Sequence, residues 1–342
     1  SDLCILFKKA EEDIANGIIP YTLLGYYYKI GTKVIYYNKD IIHGCFVDNV
    51  NLNLISLKTW SLNRAGKFKE FNFIVKLKQK VYTIAELHNI ILPINCNDSI
   101  YQELREKGMK IVNYKGKVQY LNYTGPLISS KNIVCDRTDN VRVIADFLND
   151  IPVTFEERME DLDERYSKEK LLDDIPNPHL FAVYPIIPVY NIAIGKYIKV
   201  SFDNLEPITF NDSYYDELVL DKKYKDFLSL VTIKHHQIDI IKGKGAGKLF
   251  ILSGEPGLGK TMTVESLAEK FHVPLMVISF GCLGSTPERV EQTLSSLTKL
   301  ASYWNAMLLF DEADVFLEER SNSSDVVRNA IVGVFLQILE YH

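Results

Sequence analysis

The chain has 342 residues, of which 47% are hydrophobic and 24% charged, a balance typical of globular proteins with two or three domains. A formal net charge of −5 excludes the overall positive field that attracts nucleic acid. The longest apolar run, residues 180–194, is interrupted by prolines and too short to cross a bilayer, so we expect no membrane span.

Five cysteines are scattered along the chain without any CxxC spacing. An odd, dispersed set indicates reduced thiols rather than a disulfide framework. The first residues contain no signal peptide. A cytoplasmic location is therefore expected.

Residues 22–77 are rich in β-branched and aromatic residues, with Asn, Gly, Asp and Lys at the breaks. We predict strands here, beginning with residues 23–30, in a small and mostly antiparallel sheet or barrel. Lysines alternate with phenylalanines over residues 67–80. A platform for single-stranded nucleic acid has this pattern. An ordinary strand with one solvated lysine face has it too, and we favour that interpretation, so nucleic acid is not an expected partner.

Ser99–Lys107 is predicted as a helix that Ser99 caps and Gly108 ends. A strand pair should follow at residues 111–114 and 118–123, and residues 133–147 should complete the first domain. Residues 155–174 then carry nine acidic and four basic side chains, which indicates a solvated helix or a flexible linker, with an acidic docking segment as the alternative. Three prolines in residues 177–200 favour irregular or edge strands.

These changes of character divide the chain into four parts. We predict a β-rich (α+β) N-terminal domain over residues 1–150, an acidic linker over 151–176, a junction over 177–204 and a second domain over 205–342.

In the second domain, a helical pattern over residues 224–233 precedes alternating strands and helices. Strands are predicted at Leu249–Ser253, 275–280 and 306–310. Helices are predicted at 259–271, from Pro287 with Thr286 as cap to about residue 304, and at 325–341. Repeated strand–helix units predict an α/β fold with a parallel sheet covered by helices.

The stretch after the first of these strands has the spacing G-x-x-x-x-G-K-T, between a strand and a helix. Residues without bulky side chains let backbone N–H groups surround a phosphate, and the helix N-terminus adds partial positive charge. Lys260 should neutralise β- and γ-phosphate oxygens, while the Thr261 hydroxyl should reach Mg²⁺. The predicted nucleotide-binding residues are Gly254, Glu255, Pro256, Gly257, Leu258, Gly259, Lys260 and Thr261.

About fifty residues later, the apolar strand around residues 307–310 ends in two carboxylates, Asp311 and Glu312. In a parallel sheet, the carboxyl ends of the strands face the ligand. Asp311 is predicted to hold Mg²⁺, directly or through water. Glu312 is predicted to orient and deprotonate the water that attacks the γ-phosphate. Acidic residues often end strands for structural reasons, but the two motifs together favour an ATP-hydrolysing site.

These motifs, with Arg320 and Arg328 after them, make residues 205–342 resemble the first part of an AAA+ ATPase core, a P-loop NTPase. LLFDEADVFLEER and its flanking segments resemble a subgroup of AAA-type ATPases that is common in filamentous fungi and carries a large N-terminal domain of unknown function. The resemblance implies Mg-ATP hydrolysis in a homo-oligomeric ring that remodels a protein partner.

Two departures from the family pattern stand out. The segment after the second strand, residues 281–285, has no aromatic residue of the kind that threads substrates through a ring, unless Phe280 serves. The sensor strand, arginine finger and lid that the family places later are absent up to His342. We therefore expect a C-terminally truncated core in which the strand at 249–253 has no neighbour, with weak ATP binding and little hydrolysis.

Two other functions remain open from the sequence. The same site could serve a nucleotide-controlled switch with slow turnover. Alternatively, the N-terminal domain could be an interaction or nucleic-acid module with an accessory ATPase.

Overall fold

The computed structural model describes residues 2–38, 41–63, 66–125, 140–147, 171–232, 250–279, 283, 286–311 and 326–341. The described helices are α1 Asp2–Ala15, α2 Leu24–Tyr27, α3 Ile84–His88, α4 Ser99–Val112, α5 Ser213–Glu217, α6 Lys222–Thr232, α7 Lys260–Lys270, α8 Pro287–Trp304 and α9 Val326–Tyr341.

The described strands are β1 Ile18–Pro20, β2 Lys33–Asn38, β3 Ile41–Asn51, β4 Leu54–Leu62, β5 Phe68–Lys76, β6 Val81–Thr83, β7 Ile91–Pro93, β8 Val118–Thr124, β9 Asn140–Asp146, β10 Leu171–Leu172, β11 Ile186–Asn191, β12 Lys196–Ser201, β13 Leu205–Pro207, β14 Leu275–Ser279 and β15 Met307–Asp311. Short 3₁₀ helices lie at Tyr21–Leu23, Asn177–Ala182 and Phe202–Asn204.

The first sheet has six strands in the order β10-β5-β4-β3-β2-β7. All neighbouring strands are antiparallel, as predicted for this region. Successive side chains point to opposite faces. Val34, Cys45 and Leu57 lie in a core formed with β1, β6 and α3, whereas Ile35 and Phe68 lie in a second core with α4. Both faces of this sheet are therefore covered.

The lysine- and phenylalanine-rich strand β5 is an ordinary sheet strand. Phe68 is fully buried, and the rings of Phe71 and Phe73 contact that of Tyr184, with centroids 5.2 and 5.4 Å apart. Lys67 pairs with Asp173 at 3.6 Å. These phenylalanines are engaged within the fold, so the geometry supports the ordinary-strand interpretation over a stacking platform.

The strand predicted for residues 23–30 was wrong, because this stretch forms a 3₁₀ turn followed by α2. Leu24 and Tyr28 are both completely buried, and their four-residue spacing suits a helical turn rather than a strand. The Tyr28 hydroxyl also donates a hydrogen bond to the Ile91 carbonyl at 2.7 Å.

The predicted end and cap of the helix at residue 99 were also wrong. Asp98, rather than Ser99, occupies the N-cap position of α4, and the helix continues through Gly108 to Val112. Gly108 lies in the helix because it touches the next segment of chain. A Cβ there would stand 1.9 Å from the Leu180 carbonyl oxygen.

A second, five-stranded sheet has the order β12-β11-β9-β8-β13. β11 and β12 of the predicted junction, and β13 directly after it, thus share a sheet with β8 and β9. The prediction of edge strands was wrong for β11, which lies between β12 and β9. Pro188 is tolerated because β9 pairs only with Tyr190 and Asn191, beyond the proline. The division into four parts stays a prediction.

The C-terminal part contains two parallel strands, β14 and β15, with α7, α8 and α9 packed around them. The predicted start of α8 is confirmed: Pro287 is its first residue, and the Thr286 hydroxyl accepts a hydrogen bond from the Arg289 amide. Buried residues of α8 pack against Ile144 and Tyr190 of the second sheet. The second sheet and the C-terminal part therefore share an apolar core.

None of the helices in the described ranges combines the length and the apolar character needed to cross a membrane. Cys45 and Cys96 are free thiols, as predicted.

Candidate functional site

The predicted phosphate loop forms a turn that leads directly into α7. Gly257 and Gly259 have φ angles of 83° and 78°, which glycine adopts without strain. A Cβ at either position would meet nothing within 4 Å, so the requirement for glycine is conformational and the space above the loop is open. Gly259 is the N-cap of α7, whose free N–H groups therefore begin at the loop.

Lys260 is the first residue of α7, and its side chain folds back over the loop. The ammonium donates hydrogen bonds to the carbonyl oxygens of Gly254 and Glu255, at 2.7 and 2.9 Å. These two hydrogen bonds keep the Lys260 ammonium next to the backbone of the loop. A phosphate would offer the same ammonium a charged acceptor, and charged acceptors make stronger hydrogen bonds than carbonyls do.

The structure brings the elements that carry Thr261 and Asp311 together. Thr261 lies in the first turn of α7, Asp311 ends β15, and α7 contacts β15. Strands β14 and β15 run parallel in register, so Ser279 and Asp311 lie side by side at the carboxyl end. Asp311 is exposed there, as a metal-binding carboxylate at a strand end must be.

Several predicted residues fall outside the described ranges. Glu312 and Arg320 are among them, as are most of residues 281–285. The backbone of Arg328 is described in α9, and its side chain is not. Their predicted roles therefore rest on the sequence.

The strand predicted at Leu249–Ser253 was wrong for the residues described, since residues 250–255 belong to no helix or sheet. β14 and β15 pair only with each other among the described strands, and a strand requires a hydrogen-bonded neighbour. Phe250, Ile251 and Leu252 are accordingly 40%, 69% and 38% exposed.

Sequence reasoning missed the contacts that hold the other end of α7. Glu269, in the last turn, forms an ion pair with Arg142 of β9 and accepts a hydrogen bond from the Asn211 amide at 3.1 Å. The Lys270 ammonium lies 4.0 Å from the Tyr215 ring centroid. Burial alone would lower the pKa of Arg142, but its hydrogen bond to Glu269 and its interactions with Tyr120 leave that pKa raised. No local sequence signal links residues so far apart along the chain.

Within the described ranges, no three His, Cys, Asp or Glu side chains cluster as a ready-made metal site. Mg²⁺ in phosphate-transfer sites takes only one or two protein ligands, with water and phosphate oxygens supplying the rest. Thr261 and Asp311 provide such a limited set, so the residues fit the ion.

Comparison with known proteins agrees with this geometry. Residues 250–342 match the family model described as ATPase family associated with various cellular activities (AAA). An uncharacterized AAA domain-containing protein of Schizosaccharomyces pombe is 28% identical over 128 residues, which cover 35% of this chain and 16% of the yeast protein.

The rat protein named ATPase family gene 2 protein homolog B is 28% identical over 95 residues, or 26% of this chain and 13% of its own length. Its bovine counterpart has the same identity over 12% of its length. The chain therefore spans less than a fifth of the relatives that it matches. No solved structure matches.

Proposed function

We propose that this chain binds Mg-ATP and hydrolyses it at the loop formed by residues 254–261 and at Asp311 and Glu312. The match of residues 250–342 to the AAA family of ATPases supports this proposal. The observation that carries the proposal is the Lys260 ammonium, which is held over a glycine loop at the start of α7. Within the described ranges, its hydrogen-bond acceptors are the backbone carbonyls of Gly254 and Glu255.

Each residue of the site has a distinct task. Backbone N–H groups of the loop and of the α7 N-terminus bind phosphate oxygens, and Lys260 neutralises their charge. Thr261 and Asp311 would hold Mg²⁺, which when bound neutralises charge on the phosphates. Glu312 orients the attacking water and accepts its proton. The reaction needs positioning and charge neutralisation more than covalent chemistry from the protein.

Two variants separate binding from chemistry. Lys260→Ala removes a charge-assisted contact, each of which contributes about 1.5–3 kcal/mol, so ATP affinity should fall roughly 10- to 150-fold. Glu312→Gln keeps the size and loses the base, so ATP binding should persist while phosphate release slows by about 10²–10⁴-fold. Lys299→Ala, on the exposed surface of α8, is the matched control and should change neither. Turnover near the parent level in Glu312→Gln would exclude Glu312 as the base.

We further propose that the whole protein acts as a homo-oligomeric ring that remodels a protein partner, as AAA family members usually do. Phosphate release per chain should then rise with protein concentration as rings assemble. A rate that does not depend on concentration would support the nucleotide-controlled switch instead.

A further inference from the structure

Strand β9 of the second sheet contacts α7, α8 and β14 of the C-terminal part through alternate residues. Arg142, Ile144 and Asp146 point to the same face of the sheet. Arg142 forms the ion pair with Glu269 in the last turn of α7. Ile144 lies in the apolar core formed with β14 and α8. The Asp146 carboxylate accepts a hydrogen bond of 2.6 Å from the Trp304 indole N–H, at the last residue of α8.

These contacts lie at the ends of the two helices that flank the candidate site. α7 begins at Lys260 in the phosphate loop, and its 11 residues form a rod about 16 Å long. α8 ends at Trp304, and β15, which carries Asp311, starts three residues later at Met307. A single strand therefore holds the far end of the loop helix and the start of the strand that ends in Asp311.

The contacts are specific rather than incidental surface pairs. Asp146 and Trp304 are only 1% and 5% exposed, and a carboxylate so deeply buried is costly unless it is hydrogen-bonded. Glu269 is also buried, at 7% exposure. Removal of Arg142 would therefore leave a buried carboxylate without its charged partner, which is destabilising. Asp146 and Arg142 pair through the backbone with Val118 and Asn122 of β8, which makes them part of a continuous sheet.

We propose that Arg142 and Asp146 are positioning residues through which the second sheet sets the placement of the phosphate loop and of Asp311. This inference rests on the proposed ATP site. Because coupling between two sites is reciprocal, ATP binding should in turn change the packing of β9 against Trp304. The second sheet is then a sensor of nucleotide occupancy.

The chain contains two tryptophans, so Trp60→Phe leaves Trp304 as the only tryptophan emitter. In this background, the full chain is titrated with a non-hydrolysable ATP analogue. Affinity is measured by calorimetry, and the Trp304 emission is recorded in parallel. The variants are Arg142→Ala, Arg142→Lys, Glu269→Ala and the double alanine variant. Lys107→Ala is the control, because it removes the Lys107–Asp203 ion pair, which does not involve α7, α8, β14 or β15.

Arg142→Ala should weaken analogue affinity about tenfold and abolish the emission change on binding, whereas Arg142→Lys should restore both in large part. The double variant should bind no more weakly than either single one, because both remove the same interaction. It also leaves no unpaired charge, so it reports on coupling even if Arg142→Ala folds poorly.

The outcomes separate the two proposals. A parent chain that does not bind the analogue refutes the ATP site, and the positioning role with it. The positioning role alone is refuted if the parent binds the analogue and the Arg142→Ala and double variants bind it with the parent's affinity and the parent's Trp304 emission change. Single effects that multiply in the double variant also refute it, since they would show that Arg142 and Glu269 act independently.

Discussion

Acidification should weaken the first sheet through one buried histidine, His43. It lies on β3 with no exposed surface, and neither ring nitrogen has a hydrogen-bond partner among the described residues. Its ring faces those of Tyr36, Phe73 and Tyr184, with centroids 4.9 to 5.4 Å apart. Burial lowers the pKa of His43 to about 3, against a smaller opposing effect from the Ile41 backbone. No carboxylate is among the groups that shift this pKa.

The sign of the effect follows from the two pKa values. In the unfolded chain, the His43 pKa returns to 6.5, so below that pH the unfolded state binds a proton that the folded state does not. Folding free energy is therefore lost as pH falls from 6.5 towards 3. Each pH unit is equivalent to about 1.4 kcal/mol, so the loss at pH 5 is about 2 kcal/mol. Nearby Tyr36, Tyr184 and Cys45 have raised pKa values and stay neutral in this range.

His43→Phe tests this reasoning, because the phenyl ring fits among aromatic neighbours and cannot take up a proton. Urea unfolding of both proteins is measured from pH 8 to pH 5 by circular dichroism and tryptophan fluorescence, with Trp60 on β4 of the same sheet. The parent should lose about 2 kcal/mol more than the variant over this range, as other groups cancel in the difference. A difference between the two proteins that does not change with pH would refute a neutral, buried His43.

Two further predictions concern single side chains. Gly108→Ala should destabilise the fold by about 1–3 kcal/mol in urea unfolding despite the higher helix propensity of alanine, because its Cβ would stand 1.9 Å from the Leu180 carbonyl oxygen. Gly333→Ala in α9, where a Cβ meets nothing within 4 Å, is the control and should be neutral or stabilising by up to about 1 kcal/mol; equal effects at both sites would contradict the packing argument. Asp311→Asn should raise the Mg²⁺ concentration needed for half-maximal phosphate release at least about tenfold, while an unchanged Mg²⁺ dependence would remove Asp311 from the metal site.

Features with local causes were predictable from the sequence. The loop at residues 254–259 depends on glycines at fixed spacing, and α7 begins directly after it, close to the predicted position. The start of α8 follows from Thr286 and Pro287, which are adjacent to it. In each case the residues that determine the structure lie within one turn of the element.

Features with distant causes were not predictable in the same way. Gly108 was read as a helix end because glycine often ends helices, whereas its role is to admit the Leu180 backbone, 72 residues further on. The contacts of Arg142 with Glu269, and of Asp146 with Trp304, join residues more than a hundred positions apart. Charged residues in a strand look alike in sequence whether they face solvent or another domain.

The strand order of the two sheets has a consequence for how the chain folds during synthesis. Five of the six strands of the first sheet lie between residues 33 and 93, so most of it is able to form early. The second sheet combines β8 and β9 with strands that end at Pro207. The sheet around β8 and β9 therefore stays incomplete until that later segment leaves the ribosome. The surface that receives α8 is thus completed before α8 itself is made, and the earlier part of the protein is the template on which the C-terminal part assembles.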